Sequence, residues 1–360
     1  MNIPAEYSVV DEASGWRQDG RTMAGQSLLA LADYCQGFQR ATEPWPPLPL
    51  ADDITISWWL QLIEAAPGGV MQGVELLEAL QAVLPQLRLP QVPGISRSDL
   101  YRRLVLRGEQ ANAEELGAAG PEPQWQEIGS LELWLAPHPC GTMPVLHTPN
   151  GADFLLLARA LAHRGEPVAL ANGVHAQAVS GLIHWGLIRE YGTKSRARLI
   201  LLHQAPYGSV DGSEVPGCPG EARWLEVSTA LRLEHELTHL ATKRLLGEMR
   251  LNLLDELVAD GMGMVAALGR FDARLFGRCL GLDQVGQPQP AGRWKSYVDG
   301  LAAADAQQAL ALTQQRAQEL EGVLARQPHL LLPERSMECL YWLCQQRLDR
   351  PISNWPKGPI

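Results

Sequence analysis

The sequence predicts an α+β fold, mostly helical, with a small sheet. Three observations lead there. Long stretches place apolar residues at helical spacing, above all 221–330. Strand-like patterns are confined to short segments, 131–135 and 198–203. The composition is that of a globular chain: 360 residues, 46% hydrophobic and 19% charged.

Taken in order, residues 27–39 are apolar at helical spacing and read as a helix. Residues 43–49 carry four prolines, at 44, 46, 47 and 49, and read as a rigid extended connector. Two helices follow, 56–65 and 70–87, separated by the break Pro67-Gly68-Gly69. Pro90, Pro93 and Gly94 mark another break, and 98–106 reads as a short helix. Residues 108–124, rich in Gly, Ala, Pro and Glu, read as a linker. This divides the chain into a helical region, 1–125, and a second region, 126–360.

In the second region 131–135 alternates like a half-buried strand, and 153–163 reads as a helix. The run 198–203 is a buried strand, and 204–220 a loop full of turn formers. Helices resume at Glu221, with breaks at Gly247 and around 286–292. Residues 337–348 read as a core helix, and from Asp349 the chain is a tail held by Trp355.

The formal net charge is −10, and Lys/Arg runs do not exceed pairs such as Arg102-Arg103. Both facts argue against a nucleic-acid or anionic-membrane partner. Six cysteines without a CxxC read as scattered reduced thiols. The opening residues lack the basic and apolar regions of a secretory signal, and no run of about 18 apolar residues is free of charge. A cytoplasmic protein with no membrane span is expected.

The chemistry concentrates in His235-Glu236-Leu237-Thr238-His239. On a helix, residues four apart share a face, so both imidazoles can reach one metal ion. Glu236 stands beside the first, placed to take a proton from an activated water. The bland alternative is an exposed helix with charged surface residues. A second helix weighs against it. Asn252 can cap that helix, with Asp255 in its first turn, and Glu256 and Asp260 share a face. A zinc held by two histidines needs a third protein ligand and an open position. Glu256 can be that ligand, and Asp260 can fix the tautomer of a ligand histidine. Gly261 and Gly263 would let the two helices approach closely.

Together, HExxH at 235–239 and Glu256-Leu257-Val258-Ala259-Asp260 resemble the gluzincin, thermolysin-like metallopeptidases. The resemblance covers about residues 198–265. It implies a zincin-like two-helix site, with zinc on His235, His239 and Glu256, Glu236 as general base and Asp260 behind the ligands. It implies a peptide or protein substrate. It also implies an edge strand holding an extended substrate; the run 198–203 either fills that place or is an interior core strand. Such enzymes need a donor for the developing oxyanion. No motif assigns it, and Tyr207, Arg293, Tyr297 and His329 are the candidates for oxyanion or substrate contacts, each weighed against a structural role. Arg232 reads as a surface ion pair or as a residue orienting Glu236. His138, Cys140 and His147 read as an incidental polar loop, and 172–175 as a possible cleft lining. Two rival functions stay open: a hydrolase acting on a non-peptide amide, and a non-catalytic metal-binding interaction protein. An intact Glu236 speaks against the second.

Overall fold

The computed structural model describes residues 30–355, apart from 65, 171, 172, 194 and 219. The first three residues of the expected helix 27–39, and Asn172, lie outside them. The fold is α+β.

Five strands form one mixed sheet: β1 Met71–Gln72, β2 Glu132–Ala136, β3 Met143–Thr148, β4 Ala176–Leu182 and β5 Ala197–His203. Their spatial order is β1-β2-β3-β5-β4. β3 and β5 run parallel; the other neighbours are antiparallel. β5 therefore lies inside the sheet, and of the two readings of 198–203 the interior strand holds. Its Leu199, Ile200, Leu201 and Leu202 are all fully or almost fully buried, as a strand covered on both faces requires.

The nine helices that matter here are α1 Ile56–Glu64, α2 Gly73–Val83, α3 Gly151–Leu161, α4 Trp185–Tyr191, α5 Glu221–Leu246, α6 Leu253–Leu268, α7 Ala273–Leu280, α8 Ala303–Arg326 and α9 Ser336–Cys344. Period-2 alternation sorts the strand residues onto two faces. Leu133, Leu146, Val179, Leu199 and Leu201 join a core with Ile56 and Trp59 of α1, Leu76 and Leu80 of α2, and Phe154 and Leu157 of α3. Helices from both sides of residue 125 thus share one apolar cluster. Val145, Ile200 and Leu202 point the other way, onto Leu233, Leu237 and Leu240 of α5. Beyond α5 lies the largest core, in which α5 and α6 meet α7, α8 and α9 through Leu231, Leu257, Met264, Phe276, Leu320 and Leu343. The sheet is the platform against which α5 is set, and α6 is clamped behind it.

Several expectations need correction. The helix expected over 70–87 begins only at Gly73, because Met71 and Gln72 pair with Leu133 and Glu132 as an edge strand. It ends at Val83, before Pro85, which cannot continue a helix. The linker 108–124 contains a helix, Ala113–Ala119, closed by a reciprocal capping box between Asn112 and Glu115. Of 27–39, the described helix is only Leu31–Tyr34. Three strands, β1, β3 and β4, were not expected. The tail is anchored as anticipated: the Trp355 ring lies 5.7 Å from that of Trp342. All six cysteines are free thiols. Among the described residues, no helix is long and apolar enough to cross a membrane.

At Gly263, α6 lies tightly against α5. A Cβ there would stand 2.7 Å from the carbonyl oxygen of Leu231, inside any tolerable contact. Gly261 faces Leu343 and Leu320 instead, at 3.7 and 3.8 Å. Gly263→Ala is expected to push the helices apart and cost about 1–3 kcal/mol. Thermal unfolding should register a drop of several degrees; Gly261→Ala, with room for the methyl, should lower it much less.

Candidate metal centre

α5 runs for 26 residues without Gly or Pro and ends at Gly247, whose φ of 76° gives the left-handed cap. Its continuity holds His235 and His239 one turn apart on one face. α6 starts at Asn252, whose side chain accepts the amide N–H of Asp255 at 3.1 Å. The short connection between the helices is strained at Leu251, with φ 52°. Asp255 holds it: its Oδ2 accepts the amides of Arg250 and Leu251, both at 2.9 Å.

The result is a convergent triad. His235, His239 and Glu256 are buried, and one ligand atom from each lies within 4.8 Å of the other two. The two Nε2 atoms are 3.0 Å apart. Glu256 Oε1 is 3.3 Å from Nε2 of His239, and Oε2 is 3.7 Å from Nε2 of His235. Both Nδ1 atoms face outward to carboxylates. Nδ1 of His235 is 2.7 Å from Oδ1 of Asp260, and Nδ1 of His239 is 3.3 Å from Oδ1 of Asp255. Burial favours neutral His239, but the carboxylates of Asp255 and Glu256 outweigh it and hold the imidazole well above its ordinary pKa. Burial likewise raises Asp260, but its electrostatic interaction and hydrogen bond with His235 outweigh it and draw the carboxyl below its ordinary value.

Sequence reasoning gave Asp255 only a helix-dipole role. Its part as partner of His239 was missed, although the rule that a ligand histidine needs an outer acceptor applies equally to both imidazoles.

Glu236 is 7% exposed, and its Oε2 is buried without a hydrogen-bond partner among the described residues. It shares α5 with Arg232, which is 4% exposed and therefore not a surface ion pair. The Arg232 guanidinium donates to the carbonyls of His203 and Ala205, at 3.2 and 3.1 Å, and lies over the Tyr207 ring at 5.3 Å. Burial lowers its pKa to about 10. Its work is to tie the end of β5 and the Tyr207–Ser209 turn to α5.

Of the four oxyanion or substrate candidates, three are brought to the centre. Tyr207 is buried on its outer side. The hydroxyl donates to Asp260 Oδ1 and lies 3.0 Å from Nδ1 of His235. That position braces the histidine's carboxylate partner and faces away from Nε2. Burial raises the phenol well above its ordinary pKa. Arg293 donates through Nη2 to Glu256 Oε2 and to the Tyr297 hydroxyl, each at 3.0 Å. His329 is exposed on the Pro328–Leu331 turn, and among the described residues no hydrogen bond or ion pair joins it to the centre. It is not positioned to contribute.

His138, Cys140 and His147 do not converge. His138 Nδ1 accepts the amide of Cys140 at 3.0 Å, and burial lowers its pKa to about 4. His147 pairs with Glu132 at 3.3 Å. His175 meets His203, Nδ1 to Nδ1, at 2.9 Å.

No curated protein and no solved structure matches the chain. One family does match, over residues 26–197 and 194–353, nearly the whole length; it is described as a family of unknown function (DUF7005), and the chain belongs to it.

Proposed function

We propose that the protein is a zinc-dependent hydrolase that cleaves peptide bonds. The observation that carries this reading is the convergence of His235 Nε2, His239 Nε2 and the Glu256 carboxylate: the nitrogens are 3.0 Å apart, with Oε1 3.3 Å from His239 and Oε2 3.7 Å from His235. Ligand atoms about 2.0–2.2 Å from a tetrahedral zinc stand roughly 3.3–3.5 Å apart, so the residues fit the ion. Two neutral nitrogens and one carboxylate are also a donor set suited to zinc, and they leave one position open. The outward carboxylates hold each imidazole with Nε2 turned inward.

Zinc held there supplies Lewis acidity, lowering the pKa of a water toward 7 and polarising a carbonyl. The rest falls to the chain. Glu236 offers a buried carboxylate oxygen that has no hydrogen-bond partner among the described residues. It accepts a proton as water attacks the carbonyl carbon, and returns it to the nitrogen as the C–N bond breaks. Asp260, Tyr207 and Asp255 keep the ligands in register. Likeness to the gluzincins favours a peptide over another amide. Six free thiols favour the reducing cytoplasm.

Elemental analysis of the purified protein, followed by digestion of a peptide library, tests the reading. About one zinc per chain with cleaved peptides is expected. No zinc after reconstitution would sink it, and zinc without hydrolysis of any peptide would leave a structural metal site. Asp260→Ala and Asp255→Ala should each weaken zinc affinity by about 10–100-fold, measured by chelator competition. Affinity should also fall as pH is lowered, because zinc must displace the proton that Asp255 and Glu256 hold on His239.

A further inference from the structure

We propose that Arg293 and Tyr297 form a receptor for a substrate carboxylate, so that the bond cut lies close before that carboxylate. The inference rests on the zinc-hydrolase reading above. Arg293 immediately precedes the short helix Trp294–Tyr297, and Tyr297 lies one turn on. The guanidinium is anchored through one nitrogen only: Nη2 spends its two hydrogens on Glu256 Oε2 and on the Tyr297 hydroxyl, both at 3.0 Å.

Nη1, with two N–H groups, and Nε, with one, form no hydrogen bond to the chain among the described residues, and neither is buried without a partner. The side chain is 20% exposed, so part of it meets solvent. The Tyr297 hydroxyl accepts from Arg293 and keeps its own hydrogen to donate. Rigid placement comes from two rings, Tyr207 and Tyr297, whose centroids lie 5.6 and 5.7 Å from the guanidinium carbon.

A counter-ion for Glu256 needs one N–H. This arrangement leaves three, together with a phenol hydrogen, on a fixed cation beside the reacting position. Those are the donors a carboxylate takes, one oxygen on the guanidinium and the other on the hydroxyl. The position also sets the length of the substrate. Because the guanidinium hydrogen-bonds a ligand carboxylate itself, an anion on its free side stands only one guanidinium and one hydrogen bond further out, within about one or two residues of chain, at roughly 3.5 Å each, from the bond to be cut. In a chain of net charge −10, a local cation is needed to hold such a group at all.

The carboxylate has two sources, the carboxyl terminus of a peptide or an Asp or Glu side chain just after the cut bond. Three blocked peptide libraries with a common core separate them: free acid, carboxyl-terminal amide, and amide ending in Asp. Binding is read by calorimetry on zinc-loaded Glu236→Gln protein, and cleavage by mass spectrometry on the wild type. A carboxylate library is expected to bind about tenfold or more tighter than the plain amide, as a charge-assisted pair should. Arg293→Gln should remove that preference, Tyr297→Phe reduce it, and Arg293→Lys restore part of it, each variant compared at full zinc occupancy. Preference for the free acid assigns the terminus; preference for the Asp amide assigns the side chain. Equal binding of all three, or a preference that survives Arg293→Gln, overturns the receptor while leaving the hydrolase intact. A wild type that takes up no zinc is seen separately, in the metal analysis, and removes both.

Discussion

His239→Ala is expected to take the protein from about one tightly held zinc per chain to none that survives dialysis. The loss should exceed the roughly 10–100-fold expected from removing an outer partner. His239 is 1% exposed and its Nε2 makes the two shortest approaches within the triad, 3.0 Å to His235 Nε2 and 3.3 Å to Glu256 Oε1. Without it, two ligands remain and no tetrahedral site closes. His235→Ala should behave alike, and Glu256→Ala should weaken binding strongly while leaving Arg293 without its anchor. Removing His239 also leaves Asp255 without its cationic partner, and breaking a buried ion pair costs about 3–5 kcal/mol. Asp255 still accepts the amides of Arg250 and Leu251, so the connection between the helices should persist. Near-ultraviolet circular dichroism reports whether it does. A folded His239→Ala protein with unchanged zinc occupancy would refute the site.

The triad was legible because its spacing is helical. His235 and His239 on one face, and Glu256 one turn before Asp260, follow from the period of the helix alone, and Asn252 and Gly247 mark where each helix stops. What the two motifs do not encode is the side of the ligands on which a distant residue arrives. Tyr207, a candidate for an oxyanion or substrate contact weighed against a structural role, stands behind His235, because Arg232 pins its turn to α5 through backbone carbonyls. Arg232 itself has the sequence of a surface residue; only the crossing of β5 over α5 buries it. Arg293 and Tyr297 reach the centre from 37 and 41 residues beyond Glu256, past α7 and then a run of turns over 281–292 with no period to read.

The strands divide in the same way. β2 and β5 declare themselves by alternation and by a run of Leu and Ile. β3 contains Pro144, which demotes a run to an edge, yet β3 is interior. β4 is built of Ala, Gln, Ser and Gly around Val179 and two-residue spacing is masked by their small side chains. The short β1 owes its state to pairing with β2 and has no signal of its own.

Glu236→Gln is expected to keep its zinc and lose turnover by about 10²–10⁴-fold, the range a positioned general base contributes. Glu236 lies outside the convergent triad, so metal content should not change. The substitution preserves volume and removes only the capacity to take a proton. A stability measurement then separates catalysis from structure. A carboxylate 7% exposed, with one oxygen buried and unpartnered, is a cost to the fold. Arg232 on the same helix offsets part of that cost by its charge. If Glu236 is kept for its chemistry, the neutral amide should raise the unfolding temperature while abolishing hydrolysis, as happens where a site is maintained at the expense of stability. If it is kept for structure, the amide should lower the unfolding temperature and leave hydrolysis near the wild-type rate. Loss of zinc together with activity would instead make Glu236 a fourth ligand, close the open position, and count against catalysis altogether.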